Sequence, residues 1–187
     1  MKLLLHICCA PCAVYPLQIL RNQAIEIVGY FFNPNIHPYR EYRKRRAALE
    51  AYSRGVGLQV GYNDRYDLEF FLNNTLPLGP DRCRFCYTVR LQEAAQEAKK
   101  QGQEAFSTTL LYSRYQKHDW IREVGEEIGT KEGIPFFYQD FRAGWKEGIE
   151  ASKSLGLYRQ PYCGCIFSER DRFAPLKGSQ RQQAVTF

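Results

Sequence analysis

Seven cysteines fall into three short groups that are separated by long stretches without cysteine. The groups are Cys8-Cys9-x-x-Cys12, Cys83-x-x-Cys86 and Cys163-Gly164-Cys165. Evenly spaced cysteines in a short secreted chain would indicate a disulfide framework. Pairs of thiols far apart in sequence are instead typical of side chains that meet around a metal in the folded chain. The grouping therefore predicts a metal centre.

Two kinds of metal centre fit the first two groups. Cys9-x-x-Cys12 together with Cys83-x-x-Cys86 satisfies the pattern of a zinc ion bound by four thiolates. Cys8, however, adjoins Cys9 and adds a thiolate beyond the four that one tetrahedral ion takes. A chain of 187 residues is also long enough to fold without a metal.

A 4Fe-4S cluster is the second kind of centre, and its four irons accept ligands both from neighbouring residues and from a distant pair. It fits a ligand set that leaves Cys12 over, namely Cys8, Cys9, Cys83 and Cys86. Cys12 is then either a buried free cysteine that packs as a small hydrophobe or a ligand to a second metal, such as an additional iron or another divalent ion. A second metal with an open coordination position would act as a Lewis acid toward a substrate oxygen.

The third group, Cys163-Gly164-Cys165, favours redox chemistry. With one residue between the cysteines, their α carbons can lie within disulfide range, and the glycine relieves part of the backbone restriction of the small ring. A strained disulfide is easily reduced, so the pair suits electron entry from an external dithiol better than structural cross-linking. Additional metal ligation and two incidental surface thiols are the alternatives. The preceding stretch, 158–162, is predicted to be a loop, which would leave the pair accessible.

Weaker candidates follow a predicted strand at 105–109. Five residues there are candidates for substrate or RNA contacts: Tyr112, Arg114, Tyr115, Lys117 and His118. The two tyrosines are also candidate proton donors. The alternative is that all five are ordinary polar residues of a surface loop. A basic run at 40–46 contains an interleaved tyrosine and lies on a predicted helix, where phosphate contact is less common than a solvated face.

The elements that must position these residues alternate between strands and helices. Short apolar runs predict strands at 2–7, 25–32, 58–62, 105–109 and 136–138. Amphipathic stretches predict helices at 13–23, 38–54, 66–74, 83–100, 118–128 and 145–155. This alternation indicates a single Rossmann-like α/β domain whose mostly parallel sheet has helices on both faces. Ligands of such sheets bind at the carboxyl ends of the strands, where the first cysteine group lies.

Composition limits the class of protein. We expect one catalytic domain with the metal site over 1–176 and a polar, flexible tail over 177–187. The net charge of +6 permits a polyanionic partner such as RNA. His6 and Pro11 interrupt the apolar N-terminal run and no long apolar stretch follows, so a cytoplasmic protein without membrane contact is expected. Glycine-rich phosphate loops are missing, which argues against ATP as a substrate.

Four motifs together resemble those of the QueH-type epoxyqueuosine reductases. They are HICCAPC at 6–12, CRFCYTVRL at 83–91, STTLLYSRYQKH at 107–118 and YQDFRAGWKEGIEASKSLGLYRQPYCGCIFSERDR at 138–172. The resemblance implies reduction of the epoxide of epoxyqueuosine, at the wobble position of tRNA, to the alkene of queuosine. It also implies a fold similar to nucleotide alpha-hydrolases, with cysteines in place of the phosphate loop.

The same resemblance assigns roles to six of the cysteines. A 4Fe-4S cluster would be held by Cys8, Cys9, Cys83 and Cys86, while Cys163 and Cys165 would form a redox-active disulfide. An external electron donor would be needed to reduce that disulfide. The chain is small and has no second domain to hold cobalamin, so a cobalamin-independent oxidoreductase is expected.

Two other functions stay open at this point. A zinc-stabilised RNA-binding module would use the first two groups and leave Cys163 and Cys165 incidental. A thiol-dependent tRNA sulfur-transfer enzyme on the nucleotide-hydrolase fold would need ATP, and the missing phosphate loop argues against it.

Overall fold

The computed structural model describes residues 1–174. Its sheet has four parallel strands: β1 (Lys2–His6), β2 (Glu26–Phe31), β3 (Val60–Tyr62) and β4 (Ala105–Thr108). The α-helices are α1 (Ala10–Asn22), α2 (Tyr39–Gly55), α3 (Leu68–Thr75), α4 (Arg82–Lys100), α5 (His118–Glu132), α6 (Trp145–Ser154) and α7 (Ile166–Phe173). Short 3-10 helices cover Leu76–Asp81, Thr109–Tyr112 and Arg142–Gly144.

The sheet order is β3-β2-β1-β4. Strand β1 is central, and its leucines Leu3, Leu4 and Leu5 are fully buried, as expected for a strand covered on both faces. Right-handed crossovers put α1 and α2 on one face of the sheet and α4 on the other. Helix α6 packs on α1, and α5 packs on α4. The predicted Rossmann-like class is therefore confirmed.

The chain order creates a switch point between β1 and β4. From β1 the chain moves outward through β2 to β3, and it then crosses back to β4 on the other side of β1. The carboxyl ends of two strands whose connections leave in opposite directions enclose a crevice, which is where open α/β sheets bind ligands. Residues that directly follow β1 and β4 therefore line the expected site.

The predicted fifth strand at 136–138 is wrong. Phe136 forms a single parallel bridge with Phe106, through hydrogen bonds from Phe106 N to Pro135 O and from Phe137 N to Phe106 O. Two turns of α5 pack against the Phe136 region at Gly125 and Gly129. These glycines have no side chain, which leaves room for Phe136. The apolar pattern was correct, but the run packs mainly on a helix instead of extending the sheet.

Helix α7 was not predicted, because its first turn carries an unusual cap. The Cys165 sulfur accepts a hydrogen bond from Ser168 N at 3.4 Å, in the place where serine, threonine or aspartate normally cap a helix. No helix in residues 1–174 is long and apolar enough to cross a membrane. The predicted tail over 177–187 lies outside the described residues.

Candidate functional site

The first cysteine group lies at the switch point, between the end of β1 and the start of α1. The sulfurs of Cys8, Cys9 and Cys12 all lie within 4.8 Å of one another, and the Cys8 and Cys9 sulfurs are 3.7 Å apart. Cys9 is the N-terminal flanking residue of α1, and Pro11 occupies its first turn. Unpaired N–H groups at a helix N-terminus favour thiolates. The three thiols could therefore bind a metal or a cluster.

Two polar side chains support this group. The Thr109 hydroxyl, directly after β4, accepts a hydrogen bond from Cys8 N at 3.1 Å and donates to the Cys8 sulfur at 3.4 Å. Gln160 donates from Nε2 to the Cys9 sulfur at 2.8 Å and lies 3.8 Å from the Cys12 sulfur. Donors aimed at sulfur are the partners that orient and tune thiolate ligands.

The three thiols share their protons unequally. Hydrogen bonds with Cys12 and Cys9 hold the pKa of the Cys8 thiol well below its usual range. Burial raises the pKa of Cys9, and the hydrogen bond with Cys8 raises the pKa of Cys12. Cys8 is therefore the thiol of the group that loses its proton most readily, and a metal that binds all three sulfurs must displace protons from them.

The second and third groups lie close to each other. Cys83 and Cys86 are in the first turns of α4, while Cys163 and Cys165 precede α7. Burial raises the pKa of Cys86 to about 12, and negative charge on Cys163 and Cys165 contributes to the increase. Burial likewise raises the pKa of Cys163 to about 11, with contributions from the charges of Cys165 and Cys83. The four thiols thus interact electrostatically.

A buried arginine connects the groups. Arg90 is 2% exposed and lies one helical turn after Cys86 on α4. One terminal nitrogen lies 3.8 Å from the Cys86 sulfur, and the other donates to Asn33 Oδ1 at 2.7 Å. Its positive charge contributes to the lowered pKa of Cys8 and opposes the increase in pKa that burial causes at Cys86. Arg90 therefore offsets negative charge on thiols of two groups.

The structure arranges the predicted cluster ligands in two places. Cys8 and Cys9 lie with Cys12, whereas Cys83 and Cys86 lie on α4 beside Arg90. Within residues 1–174, the group of metal-ligating side chains that meet within 4.8 Å is Cys8, Cys9 and Cys12. The assignment of four cysteines to one cluster remains a prediction.

A cavity of about 330 Å³ opens beside these thiols. Its inner wall includes Cys8, Cys12, Arg90 and Cys163. Three aromatic side chains form another part of the wall: the Trp145 ring centre is 5.1 Å from that of Tyr112 and 5.4 Å from that of Tyr115. Arg159, Arg172, Gln116 and Gln160 also line it. The volume suits a small ring system, and the thiols of two groups face it.

Among the candidate contacts that the sequence indicates, the tyrosines line the cavity. Tyr112 is buried and donates its hydroxyl to Trp145 O at 3.0 Å, whereas Tyr115 is 40% exposed. Arg114 is exposed and outside the cavity wall. The Lys117 ammonium contacts Pro80 O at 3.2 Å and lies over the Trp120 ring. The His118 ring contacts the Tyr138 hydroxyl at 3.1 Å.

Sequence reasoning missed several residues that contact the thiols. Arg90 follows Cys86 by four positions and Cys83 by seven, a spacing that places all three on one helix face. The sequence therefore contains a signal for the role of Arg90. Thr109 directly follows a predicted strand. Gln116 donates to the Cys163 sulfur at 3.2 Å and lies within the motif at 107–118. Gln160 is separated from Cys9 by 151 positions, and nothing local marks it.

A parallel α/β domain with cysteines and a ligand-sized cavity at its switch point belongs to the Rossmann-like proteins, here with thiols able to bind a metal or a cluster. Residues 3–171 match the family model described as epoxyqueuosine reductase QueH. The chain therefore belongs to the epoxyqueuosine reductase QueH family, a family of oxidoreductases.

Individual proteins agree with this assignment. Epoxyqueuosine reductase QueH of Thermotoga maritima is 39% identical, over 90% of this chain and 91% of that protein. The protein of the same name from Dehalococcoides mccartyi is 36% identical, over 92% of this chain and 94% of that protein. A solved structure described as a predicted subunit of tRNA methyltransferase from Methanocaldococcus jannaschii has a TM-score of 0.55 at 9% identity, covering 82% of this chain and 76% of its own. That similarity shows the shared fold.

Proposed function

We propose that this chain reduces the epoxide of epoxyqueuosine, at the wobble position of tRNA, to the alkene of queuosine. The observation that carries the proposal is the cavity wall, where Cys8 of the first cysteine group, Arg90 and Cys163 of the third group face the same space. In this proposal, a cluster held by Cys8, the Arg90 cation and the Cys163 thiol of the dithiol all act on one substrate bound in the cavity. Membership of the epoxyqueuosine reductase QueH family supports the substrate, and a tRNA substrate makes the cytoplasm the site of reaction.

The reaction balances with one dithiol per turnover. Both carbon–oxygen bonds of the epoxide break, the carbons join by a double bond, and the oxygen leaves as water. This consumes two electrons and two protons. Oxidation of the Cys163 and Cys165 thiols to a disulfide releases two electrons and two protons. An external dithiol must then reduce the disulfide, because no further electrons are available within the pair.

The donor set fits a 4Fe-4S cluster with Cys8, Cys9, Cys83 and Cys86 as ligands. Thiolates are the ligands that such clusters take, and the N–H and O–H donors of Gln160, Thr109 and Arg90 address sulfurs in both places. Cys12 would ligate an additional iron or other divalent ion. When bound, the cluster would transfer electrons singly and the second ion would act as a Lewis acid.

The chain's own residues contribute binding and charge. The Arg90 guanidinium faces the cavity and its Nε atom has no hydrogen-bond partner within residues 1–174. A fixed cation in a water-poor site stabilises the negative charge that develops on the epoxide oxygen. The aromatic wall of Trp145 and Tyr115 suits stacking of an unstacked base, since proteins recognise single-stranded RNA loops mainly by such contacts.

Anaerobic purification followed by an absorption spectrum and iron and sulfide counts tests the cofactor. We expect a broad band near ~400 nm with about four irons and four sulfides per chain, and iron in excess of sulfide if Cys12 binds a second ion. The activity test is mass spectrometry of tRNA that contains epoxyqueuosine, which should lose one oxygen atom. A colourless protein with about one zinc per chain would contradict the proposal and favour a zinc-stabilised RNA-binding module.

A further inference from the structure

A buried ion pair on α2 holds the loop that carries Cys163 and Cys165. We propose that Arg45, supported by Glu41, is a positioning residue for this dithiol: it fixes the backbone at Cys163 and thereby sets how readily the pair exchanges electrons. The inference rests on the proposed function, because it assumes that the pair is redox-active. It concerns residues that lie outside the cysteine motifs and outside the cavity wall.

The Arg45 guanidinium uses all of its nitrogens within the protein. It is 1% exposed, and its Nε donates to Glu41 Oε1 at 2.6 Å. Its two terminal nitrogens donate to Cys163 O at 2.8 Å and to Tyr162 O at 3.0 Å. The planar group also lies 5.3 Å from the centre of the Tyr162 ring. One rigid side chain therefore binds two successive carbonyls of the loop.

Glu41 fastens the same loop at a second point. Its Oε2 accepts a hydrogen bond from the Tyr158 hydroxyl at 2.5 Å. His37, just before α2, adds two backbone contacts: its N donates to Gly164 O at 2.8 Å, and its carbonyl accepts from the Tyr162 hydroxyl. The loop is thus attached to one region of the protein from Tyr158 to Gly164.

The glycine between the cysteines fits this interpretation. Gly164 has φ 146°, a conformation that other residues rarely adopt, and a Cβ there would lie 3.1 Å from an Arg45 terminal nitrogen and 3.1 Å from Asn35 Nδ2. The backbone of the Cys-Gly-Cys segment therefore packs directly against the guanidinium. The glycine is required by contact with Arg45 as well as by the short ring that a disulfide would close.

A buried ion pair is an expensive way to stabilise a core, because removing two charges from water costs several kcal/mol per ion before any attraction is counted. Arg45 and Glu41 bind polar atoms of a loop and not of the core. This indicates that the ion pair fixes the conformation of the loop. The two sulfurs held in this way have different surroundings. The Cys163 sulfur faces the cavity and accepts from Gln116, whereas the Cys165 sulfur accepts from Ser168 N at the start of α7.

The redox step that depends on this geometry is disulfide formation. The Cys163 and Cys165 sulfurs join, two protons leave the thiols and two electrons pass to the substrate; an external dithiol reverses the step. Without Arg45 the carbonyls of Tyr162 and Cys163 lose their donors, and the loop is free to move. The sulfurs should then react faster with outside reagents and more slowly in turnover.

The test uses the full-length, metal-loaded protein and the substitution Arg45→Met. We expect iodoacetamide to alkylate Cys163 about tenfold faster than in the wild-type protein, as for loss of one or two charge-assisted hydrogen bonds. Peptide mass spectrometry measures the rate of alkylation. The rate constant kcat should fall at least about tenfold, while KM for tRNA changes less than about threefold. Iron and sulfide content should stay at the wild-type level.

Two further variants keep the test informative. Tyr158→Phe removes one hydroxyl from Glu41 and should change both rates in the same direction by a smaller factor. Arg46→Met is the matched control, because Arg46 is the next residue of α2 but forms its ion pairs with Asp64 and Glu50, away from the loop. It should leave alkylation and kcat unchanged.

The outcomes separate the two proposals. If wild-type protein turns over and Arg45→Met alters neither alkylation nor kcat, the positioning role is wrong. If wild-type protein does not reduce epoxyqueuosine, the proposed function fails. In that case, the alkylation rate of Cys163 and the equilibrium of the dithiol with glutathione still test whether Arg45 controls the reactivity of the pair. A similar loss in Arg46→Met would mean that α2 matters only for stability.

Discussion

At the scale of single residues, Arg90 brings a buried positive charge to the site. It is buried between thiols of two groups and interacts with Cys86 at 3.8 Å. Burying an isolated guanidinium would be very unfavourable, so its location is intelligible only if negative charge lies nearby. Thiolates and a cluster they hold would supply that charge. The same cation then favours electron uptake by the site, because it stabilises the more negative state.

Replacing Arg90 with methionine should therefore remove activity and weaken cofactor binding. We expect turnover to fall by at least about a hundredfold, with iron and sulfide content reduced and the remaining cluster harder to reduce. Iron analysis and a potentiometric titration measure the two effects. Arg84→Met is the control: Arg84 lies on the same helix but forms exposed ion pairs with Glu123 and Glu127. Arg90→Met with a wild-type potential would contradict the proposed role.

The sequence predicted the cysteines of the site but not most of their partners. Thiols are rare and their spacing is distinctive, so Cys83 and Cys86 stand out in any chain. Glutamine and threonine are common, and their roles arise from contacts between distant segments. Gln160 reaches Cys9 across 151 positions and Thr109 reaches Cys8 across 101, so only the folded chain reveals them.

At the scale of elements, the first turns of α6 shape the cavity through two glycines, Gly148 within the helix and Gly144 directly before it. A Cβ on Gly148 would overlap the Tyr112 hydroxyl, and a Cβ on Gly144 would overlap the Tyr15 ring. Tyr112 in turn lines the cavity and donates to Trp145 O at the start of α6. The close approach of this helix to Tyr112 thus depends on a residue without a side chain.

The substitution Gly148→Ala should destabilise the protein by about 1–3 kcal/mol, since overpacking outweighs the better helix propensity of alanine. Denaturant unfolding measures the decrease in stability. Gly55→Ala provides the contrast, because Gly55 ends α2 and a Cβ at that position would meet no atom of residues 1–174 within 4 Å. That change should be neutral or stabilise by up to about 1 kcal/mol. Equal effects of the two substitutions would refute the packing argument.

Pattern alone predicted the sheet well where strands are buried on both faces. Strand β1 carries a continuous apolar run, Leu3–Leu5, and β4 is buried along its whole length, as expected for parallel strands covered on both faces. The run at 136–138 is equally apolar, yet Phe136 packs against glycines of α5 and forms one bridge. Whether such a run forms a strand or a single bridge depends on residues far away in the sequence that pack against it. The local sequence does not contain this information. Helix α7 escaped prediction because a cysteine caps it.

At the scale of the whole molecule, the site combines segments that are far apart in the described chain. Its cavity wall is formed by residues within 8–12, Arg90, and residues within 110–116 and 145–172. Two exposed arginines on this wall, Arg159 and Arg172, form no ion pair within residues 1–174. Two of the cations that contribute to the net charge of +6 therefore lie unpaired at the cavity, where the anticodon loop of the proposed tRNA substrate would bring its phosphates.

Changing Arg159 and Arg172 to glutamine should weaken tRNA binding without altering the chemical step. Removing one arginine–phosphate interaction should reduce the slope of log Kd against log salt concentration by about 1, while kcat at saturating tRNA stays within about twofold. Filter binding over a range of potassium chloride concentrations measures the slope. Lys131→Gln is the control, because Lys131 lies in the last turn of α5 and does not line the cavity; this change should leave the slope unaltered. An unaltered slope in both arginine variants would mean that the tRNA backbone follows a different surface, and a lower kcat would assign the arginines to the reaction itself.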